Sequence, residues 1–241
     1  MSKRETDLRT VPRHIAIIPD GNRRWARRQA ESVAHGHSEG AGNLMHIVRA
    51  AHAMGVKVMT FYMFSTENWT RAEEEVQTLM LLLEQYLIEQ KQPMIDEGVR
   101  FNTIGDLSCL TSRAQELIAE VKSATSSGKS IDVVAALNYG SRDELRRAFQ
   151  KIHEDILIGK MKSEQLDEQI ISSYLDTAHW PDPDLMIRCS GEFRLSNFLL
   201  WQLSYSEVYI TDVLWPDFTP LHLQEAVQAY QGRERRLGGS L

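Results

Sequence analysis

Short apolar runs alternate with longer amphipathic stretches along the chain, and this alternation gives the first reading of its architecture. Six runs have the length and β-branched content of buried strands: His14 to Ile18, Val56 to Phe64, Val99 to Ile104, Ile131 to Leu137, Leu185 to Arg188 and Glu207 to Ile210. Helical periodicity fills most of the gaps between them. Alternating strands and helices predict an α/β fold: one domain with a mostly parallel central sheet of about six strands, flanked by helices and joined by right-handed crossovers. Such sheets bind ligands outside their carboxyl edge. Asp20, Ser65 to Trp69, Asn138 to Gly140 and Ser190 to Glu192 all fall on that edge.

One helix differs from the rest. Between Ala72 and Lys91, the residues Val76, Leu79, Met80, Leu83 and Leu87 form an apolar stripe, which Leu81, Leu82 and Tyr86 widen beyond the needs of one sheet contact. A deeply buried or dimer-forming helix has this pattern, and so does a wall that lines a lipid chain. Thr70 and Glu73 have capping-box spacing, which places the helix start there.

Composition narrows the chemistry. The 241 residues suit one large domain over 14–241, with 1–13 expected as a flexible extension. Net charge is −6 and the isoelectric point about 5.8, so the clustered arginines imply a small anionic partner and not nucleic acid. Cys109 and Cys189 alone exclude a disulfide framework and a structural zinc site, and fit a reducing cytoplasm. Neither a signal peptide nor a spanning helix is evident, so a cytoplasmic location with at most peripheral membrane contact is expected.

Four segments carry candidate chemistry. The first run ends in Asp20-Gly21-Asn22 and continues through Arg23, Arg24, Trp25, Arg27 and Arg28. Like charges at i and i+4 cost about 0.2–0.5 kcal/mol per pair unless something negative faces them; a solvated basic face is the plain alternative. The glycine-rich run from Gly36 to Gly42 has neither dinucleotide nor P-loop spacing, and reads as a helix start carrying His37 near a phosphate. Ser65, Thr66, Glu67, Asn68 and Trp69, with Arg71, gather a hydroxyl, a carboxylate, an amide and a cation after a strand. Arg188 and Arg194 flank a Ser-Gly turn ahead of Leu195 and Ser196; two guanidiniums and a hydroxyl suit a diphosphate. Glu207 offers a second carboxylate to complete a magnesium site with Asp20, since Mg²⁺ commonly takes one or two carboxylates plus substrate phosphates.

These motifs, in this order from His14 to Gly239, resemble the cis-prenyltransferases, and most of all the bacterial undecaprenyl diphosphate synthases. The matching stretches are His14 to Ala26, Gly36-His37, Phe64 to Trp69, Asn138-Tyr-Gly140, Ser190 to Phe198 and Trp215 to Phe218. The resemblance implies a homodimeric enzyme that adds isopentenyl diphosphate units to an allylic, farnesyl-type diphosphate with Mg²⁺, making undecaprenyl diphosphate for cell-wall lipid carrier synthesis. It assigns Asp20 to metal and diphosphate, and Gly21, Asn22, Arg23, Arg24, Trp25 and His37 to the allylic diphosphate. Arg188, Arg194, Leu195 and Ser196 fall to isopentenyl diphosphate, and Glu207 to the metal. Ser65, Thr66, Glu67, Trp69 and Arg71 match a substrate-closing loop, in which Asn68 matches a proposed proton acceptor. The ending Arg236-Leu-Gly238 resembles a tail that reaches a neighbouring active site. Phe193, where some relatives carry a metal-binding histidine, Val33 and Met63 depart from the pattern. A bulky Met63 beside the strand end implies a narrower tunnel mouth and a shorter product. A short- or medium-chain synthase and a noncatalytic partner subunit are the alternatives, and the retained Asp20 to Arg24 set argues against the second.

Overall fold

The computed structural model describes residues 11–233. All six expected strands form: β1 (His14–Ile18), β2 (Val58–Ser65), β3 (Val99–Ile104), β4 (Ile131–Tyr139), β5 (Leu185–Arg188) and β6 (Glu207–Ile210). They make one sheet in the order β3-β4-β2-β1-β5-β6, and every pairing is parallel. β2 begins two residues later than its apolar run because the Val56 amide bonds back to the Ala51 carbonyl, closing the preceding helix through Gly55 in the left-handed region. β4 runs on to Tyr139, which pairs with Ser65 beyond a shift of register.

Among the described residues, seven helices cover the sheet: α1 (Asn22–Arg28), α2 (Val33–Met54), α3 (Glu73–Asp96), α4 (Ser112–Ala124), α5 (Ser141–Leu157), α6 (Glu168–Tyr174) and α7 (Pro220–Gln231). The period-2 alternation of β1 divides the core between the two faces. Ile15 and Ile17 join the larger cluster with α2, α3, α4 and α7, whereas Ala16 and Ile18 join Tyr139, Phe198 and Leu199 on the other face. No helix among the described residues is long and apolar enough to cross a membrane.

Three expectations about α3 need correction. Thr70 does not cap α3; its hydroxyl donates to the Glu67 carbonyl at 2.8 Å and closes a short 3₁₀ turn over Thr66–Thr70, while Ala72 precedes the first helical turn. α3 continues past Lys91 to Asp96, where buried Met94 holds the added turn to the core. Its apolar face is also narrower than the sequence suggests, because Leu81 faces solvent. Of the expected N-terminal extension, Val11 packs on the core and the Arg13 amide donates to Asp184 Oδ2 at 2.8 Å. Residues 1–10 and the Arg236-Leu-Gly238 tail lie outside the described residues.

The chain places β2, β4 and β3 on one side of β1 and adds β5 and β6 on the other. Strand order therefore reverses between β1 and β5. A crevice outside the carboxyl ends at such a switch point is where open α/β sheets bind ligands.

Candidate active site

Asp20 and Arg188 meet at this switch point because Ile18 and Arg188 share a register position on β1 and β5. Arg188 Nη2 donates to Asp20 Oδ2 at 2.9 Å, and Nη1 donates to Ser196 Oγ at 2.9 Å and to the Arg194 carbonyl. The guanidinium is only 3% exposed and the carboxylate 33%. A charge buried this deeply persists only when paired and hydrogen-bonded.

Glycines set how closely α1 and α2 approach the sheet edge. Gly21 has φ +109°, and a Cβ there would lie 2.9 Å from Leu214 Cδ2 and 3.2 Å from its Cα. A Cβ on Gly36 would lie 2.4 Å from the Asn22 carbonyl, and one on Gly40 would lie 2.4 Å from Asn22 Oδ1. The glycine-rich run thus brings α2 against Asn22. It is not a helix start: α2 begins at Val33 behind the Ser32 cap, the Gly36 amide already bonds to Ser32 O, and His37 occupies the second turn. The expectation that free helix-end amides hold a phosphate beside His37 fails for that reason.

A cavity of about 610 Å³ opens along this edge. Asp20, Gly21, Asn22, Arg23, Arg24 and His37 line its mouth from β1, α1 and α2. Ser65, Asn68 and Arg71 face them from the far side, and Arg188, Arg194 and Ser196 close the third. The rest of the lining is largely apolar and includes Leu44, Met63, Leu79, Met80, Leu83, Tyr86 and Leu137. Met63 sits where the β2–β4 register shifts between Tyr62 and Phe64; such an irregularity re-aims a strand side chain.

Most of the arginines at the mouth already face carboxylates. Arg23 lies 3.8 Å from Glu75, Arg71 is 3.0 Å from Glu75, and Arg24 is 2.8 Å from Glu192, which also pairs with Arg194. Part of the like-charge cost in α1 is therefore offset within the chain. Arg24 further donates to the Ser190 carbonyl at 2.9 Å and to its hydroxyl at 2.6 Å, joining the early and late arginine clusters. Desolvation, reinforced by Arg71 and opposed by Glu75, lowers His37 to about 4, so its ring is neutral at pH 7. Among the described residues, the buried side-chain polar atoms without a protein partner are Asn22 Oδ1, His37 Nε2, Arg188 Nε and Gln202 Oε1. The first three belong to cavity-lining residues. Each unmet group costs about 1–3 kcal/mol, and a native fold retains such groups where they serve a ligand.

Several other expected site residues do not line the cavity. Trp25 turns away, and its Nε1 donates to Asp217 Oδ1 at 2.8 Å. Trp69 Nε1 donates to Asn138 Oδ1 at 2.8 Å. Glu67 accepts from Asn197 at 2.9 Å, Thr66 packs near Gly140, and Leu195 packs on the smaller core cluster. Asn68 reaches the cavity, but its Oδ1 accepts from the Ser65 amide at 3.0 Å. Phe193 is 85% exposed at the tip of its loop.

The pairing of Glu207 with Asp20 is not realised within one chain. Glu207 opens β6 opposite Leu185, at the amino end of the strand, about 10 Å of strand short of the carboxyl edge. Its carboxylate instead accepts from Arg233 at 2.6 Å. The sequence marks the strand but not which of its ends faces the site. No group of three or more His, Cys, Asp or Glu side chains suited to a metal occurs among the described residues. One carboxylate plus substrate phosphates is nevertheless a common Mg²⁺ environment. Asp20, beside a mouth rich in cations, fits a cation shared with a diphosphate and not an all-protein cage.

Leu44 and Glu75 escaped the sequence reading, whereas Arg27, named there with the basic run, lines the cavity. Only Glu75 had a signal, its i,i+4 spacing from Arg71.

Comparison with known proteins gives the site its family. The undecaprenyl diphosphate synthase family model (Prenyltransf) matches residues 18–238. The isoprenyl transferase of Chlamydia caviae is 46% identical over 235 residues, covering 96% of this chain and 94% of the relative. That of Geobacillus kaustophilus is 44% identical over 239 residues, covering 99% and 93%. Among solved structures, lavandulyl diphosphate synthase from Lavandula x intermedia, in complex with dimethylallyl diphosphate, matches with a TM-score of 0.94 at 34% identity, over 96% of this chain and 100% of that one. A probable undecaprenyl diphosphate synthase from Campylobacter jejuni matches with a TM-score of 0.80 at 31% identity, over 95% and 99%. With its arginine-rich cavity at the switch point of a parallel sheet, the chain belongs to the undecaprenyl diphosphate synthase family of isoprenyl transferases and is an enzyme that transfers prenyl groups.

Proposed function

We propose that the enzyme is a Mg²⁺-dependent cis-prenyltransferase that condenses isopentenyl diphosphate onto an allylic, farnesyl-type diphosphate, and that undecaprenyl diphosphate for a cell-wall lipid carrier is its product. The observation that carries this reading is a single cavity with unpartnered buried polar atoms and guanidiniums at its mouth and an apolar interior. An amphiphile with a diphosphate head and a hydrocarbon tail has the matching shape and charge.

In this reading Arg23, Arg24, Asn22 and His37 orient the allylic diphosphate, and Arg188, Arg194 and Ser196 orient the second substrate. Mg²⁺, when bound by Asp20 and diphosphate oxygens, adds positive charge where the leaving group becomes more negative. As the allylic C–O bond breaks, the mouth arginines stabilise the departing diphosphate, the kind of preorganised electrostatics that dominates many rate enhancements. The isopentenyl double bond attacks the freed allylic carbon, and the proton lost next passes to a diphosphate oxygen. Asn68 serves to orient rather than to abstract, because a neutral amide is a poor base and its oxygen is already engaged by Ser65. Each methylene then buried along α3 gains roughly 0.8 kcal/mol, which favours elongation until space runs out. The enzyme works in the cytoplasm as a homodimer, with peripheral membrane contact for product release.

A shorter product is the second reading, and Tyr86 favours it. Along α3, Glu75 to Tyr86 spans about 16 Å at 1.5 Å per residue. An isoprene unit advances roughly 5 Å over four bonds of about 1.5 Å, so about three units reach Tyr86.

Incubating purified enzyme with farnesyl diphosphate and labelled isopentenyl diphosphate tests the proposal. Elongated, labelled products are expected with Mg²⁺ and none after chelation. Absence of elongation with metal present rejects it.

A further inference from the structure

Asn197, a residue with no assigned role, ties together the two loops that carry the facing sides of the cavity. Its Nδ2 donates to Glu67 Oε1 at 2.9 Å, within the turn that also carries Asn68. Its Oδ1 accepts from the Arg142 amide at 3.0 Å, and its carbonyl accepts from the Ser141 amide at 2.7 Å, both at the start of α5. Its neighbour Ser196 accepts from Arg188 at 2.9 Å, and the Ser196 carbonyl accepts from the Tyr62 hydroxyl at 3.1 Å. A half-buried amide thus spans from the end of β2 to the turn beside β5.

The backbone is held in an uncommon state to make this span. Ser196 has φ +49° and Asn197 φ +61°, in the left-handed region that asparagine tolerates better than most residues. Such conformations persist where surrounding contacts over-determine them and cluster at functional sites. Gly140 completes the fit, since a Cβ there would lie 2.6 Å from Thr66 Oγ1 and 2.7 Å from Asn197 Nδ2. Partial burial opposes ionisation of Glu67, yet hydrogen bonds from Asn197, its own amide and the Ser65 and Thr66 hydroxyls hold its carboxyl below the ordinary range. The clamp therefore joins a charged acceptor to an amide donor.

We propose that Asn197 is a positioning residue: its bond to Glu67 sets the distance between the 65–71 turn, which brings Asn68 and Arg71, and the 188–196 segment, which brings Arg188 and Ser196. The proposal rests on the reading of the cavity as a two-substrate site. Loss of the clamp should act on use of the second substrate, since that substrate spans both loops.

Asn197→Asp is the sharpest probe. It keeps shape and the bond from the Arg142 amide, but it turns the donor facing Glu67 into a second carboxylate. We expect about a tenfold loss of kcat/KM for isopentenyl diphosphate, mainly through KM, with a cooperative thermal transition retained. In a Glu67→Gln background the facing amide can donate to the new carboxylate, so the same change should cost less than about threefold. A purely structural asparagine gives no such rescue. Asn197→Ala with Glu67→Ala forms a second cycle should Asn197→Asp fold poorly; the two losses should overlap rather than multiply. Equal, independent losses in both cycles overturn the clamp. Failure of the wild type to elongate farnesyl diphosphate overturns instead the reading on which it rests.

Discussion

Asp20 and Arg188 form one ion pair, but their different burial predicts that removing either partner has very different consequences. Asp20→Ala strands a guanidinium that is 3% exposed, with one of its nitrogens already unpartnered. Leaving one member of a buried pair uncompensated costs about 3–5 kcal/mol. Arg188→Met retains most of the side-chain volume and frees a carboxylate that is 33% exposed and can be rehydrated. The large penalty requires an uncompensated buried charge, which this change does not leave; withdrawing the donors to Ser196 and the Arg194 carbonyl leaves an expected loss of about 1–2 kcal/mol. Urea unfolding at pH 7 measures both, provided the slope of the transition is unchanged. Since whole domains have about 5–15 kcal/mol of stability, the gap is easily resolved. Both variants should lose turnover. Equal destabilisation, or a greater loss from Arg188→Met, would refute the view that Asp20 compensates the buried charge of Arg188.

Three further outcomes follow from local geometry. Gly40→Ala forces a methyl group against Asn22 Oδ1 at 2.4 Å and Trp215 Cδ1 at 2.9 Å, and should cost about 1–3 kcal/mol in urea unfolding while weakening binding of an allylic diphosphate. Tyr86→Ala should shift products to longer chains by mass spectrometry, because Tyr86, Ala41 and Leu82 line both the catalytic cavity and a second cavity of about 460 Å³ between α2 and α3. His14, lowered to about 4 chiefly by burial and held between the Pro181 carbonyl and Thr60 Oγ1, is neutral in the fold. Its contribution is present above the unfolded value of about 6.5 and is lost as pH falls toward 4; from pH 7 to pH 5 this amounts to about 2 kcal/mol, and a stable His14→Gln variant should lack that part of the slope.

The sheet was legible because parallel, doubly covered strands are continuous apolar runs, as in His14–Ile18 and Ile131–Tyr139. The mouth of the site was legible too, since Asp20, Arg188 and Arg194 lie at or just past strand ends that topology must bring to one edge. What the linear pattern lacks is direction. Glu207 sits on a strand beside the site yet at its far end, and Trp25 and Trp69 lie in the right loops but turn to Asp217 and Asn138. Glycines gave the opposite problem. Gly36 and Gly40 looked like phosphate-binding backbone, and their role is to let α2 approach Asn22, a contact between residues distant in sequence. Asn197 had no periodic or charge signal at all; its importance arises only from three loops meeting.

The most direct test is a crystal structure of the enzyme with Mg²⁺ and a non-reactive thio-analogue of farnesyl diphosphate. The diphosphate should lie about 2.7–3.2 Å from Asn22, His37 Nε2 and the Arg23 or Arg24 guanidinium, with the farnesyl chain running past Leu79 and Leu83 to end at Tyr86. A diphosphate bound elsewhere, or a hydrocarbon chain outside this cavity, would contradict the account.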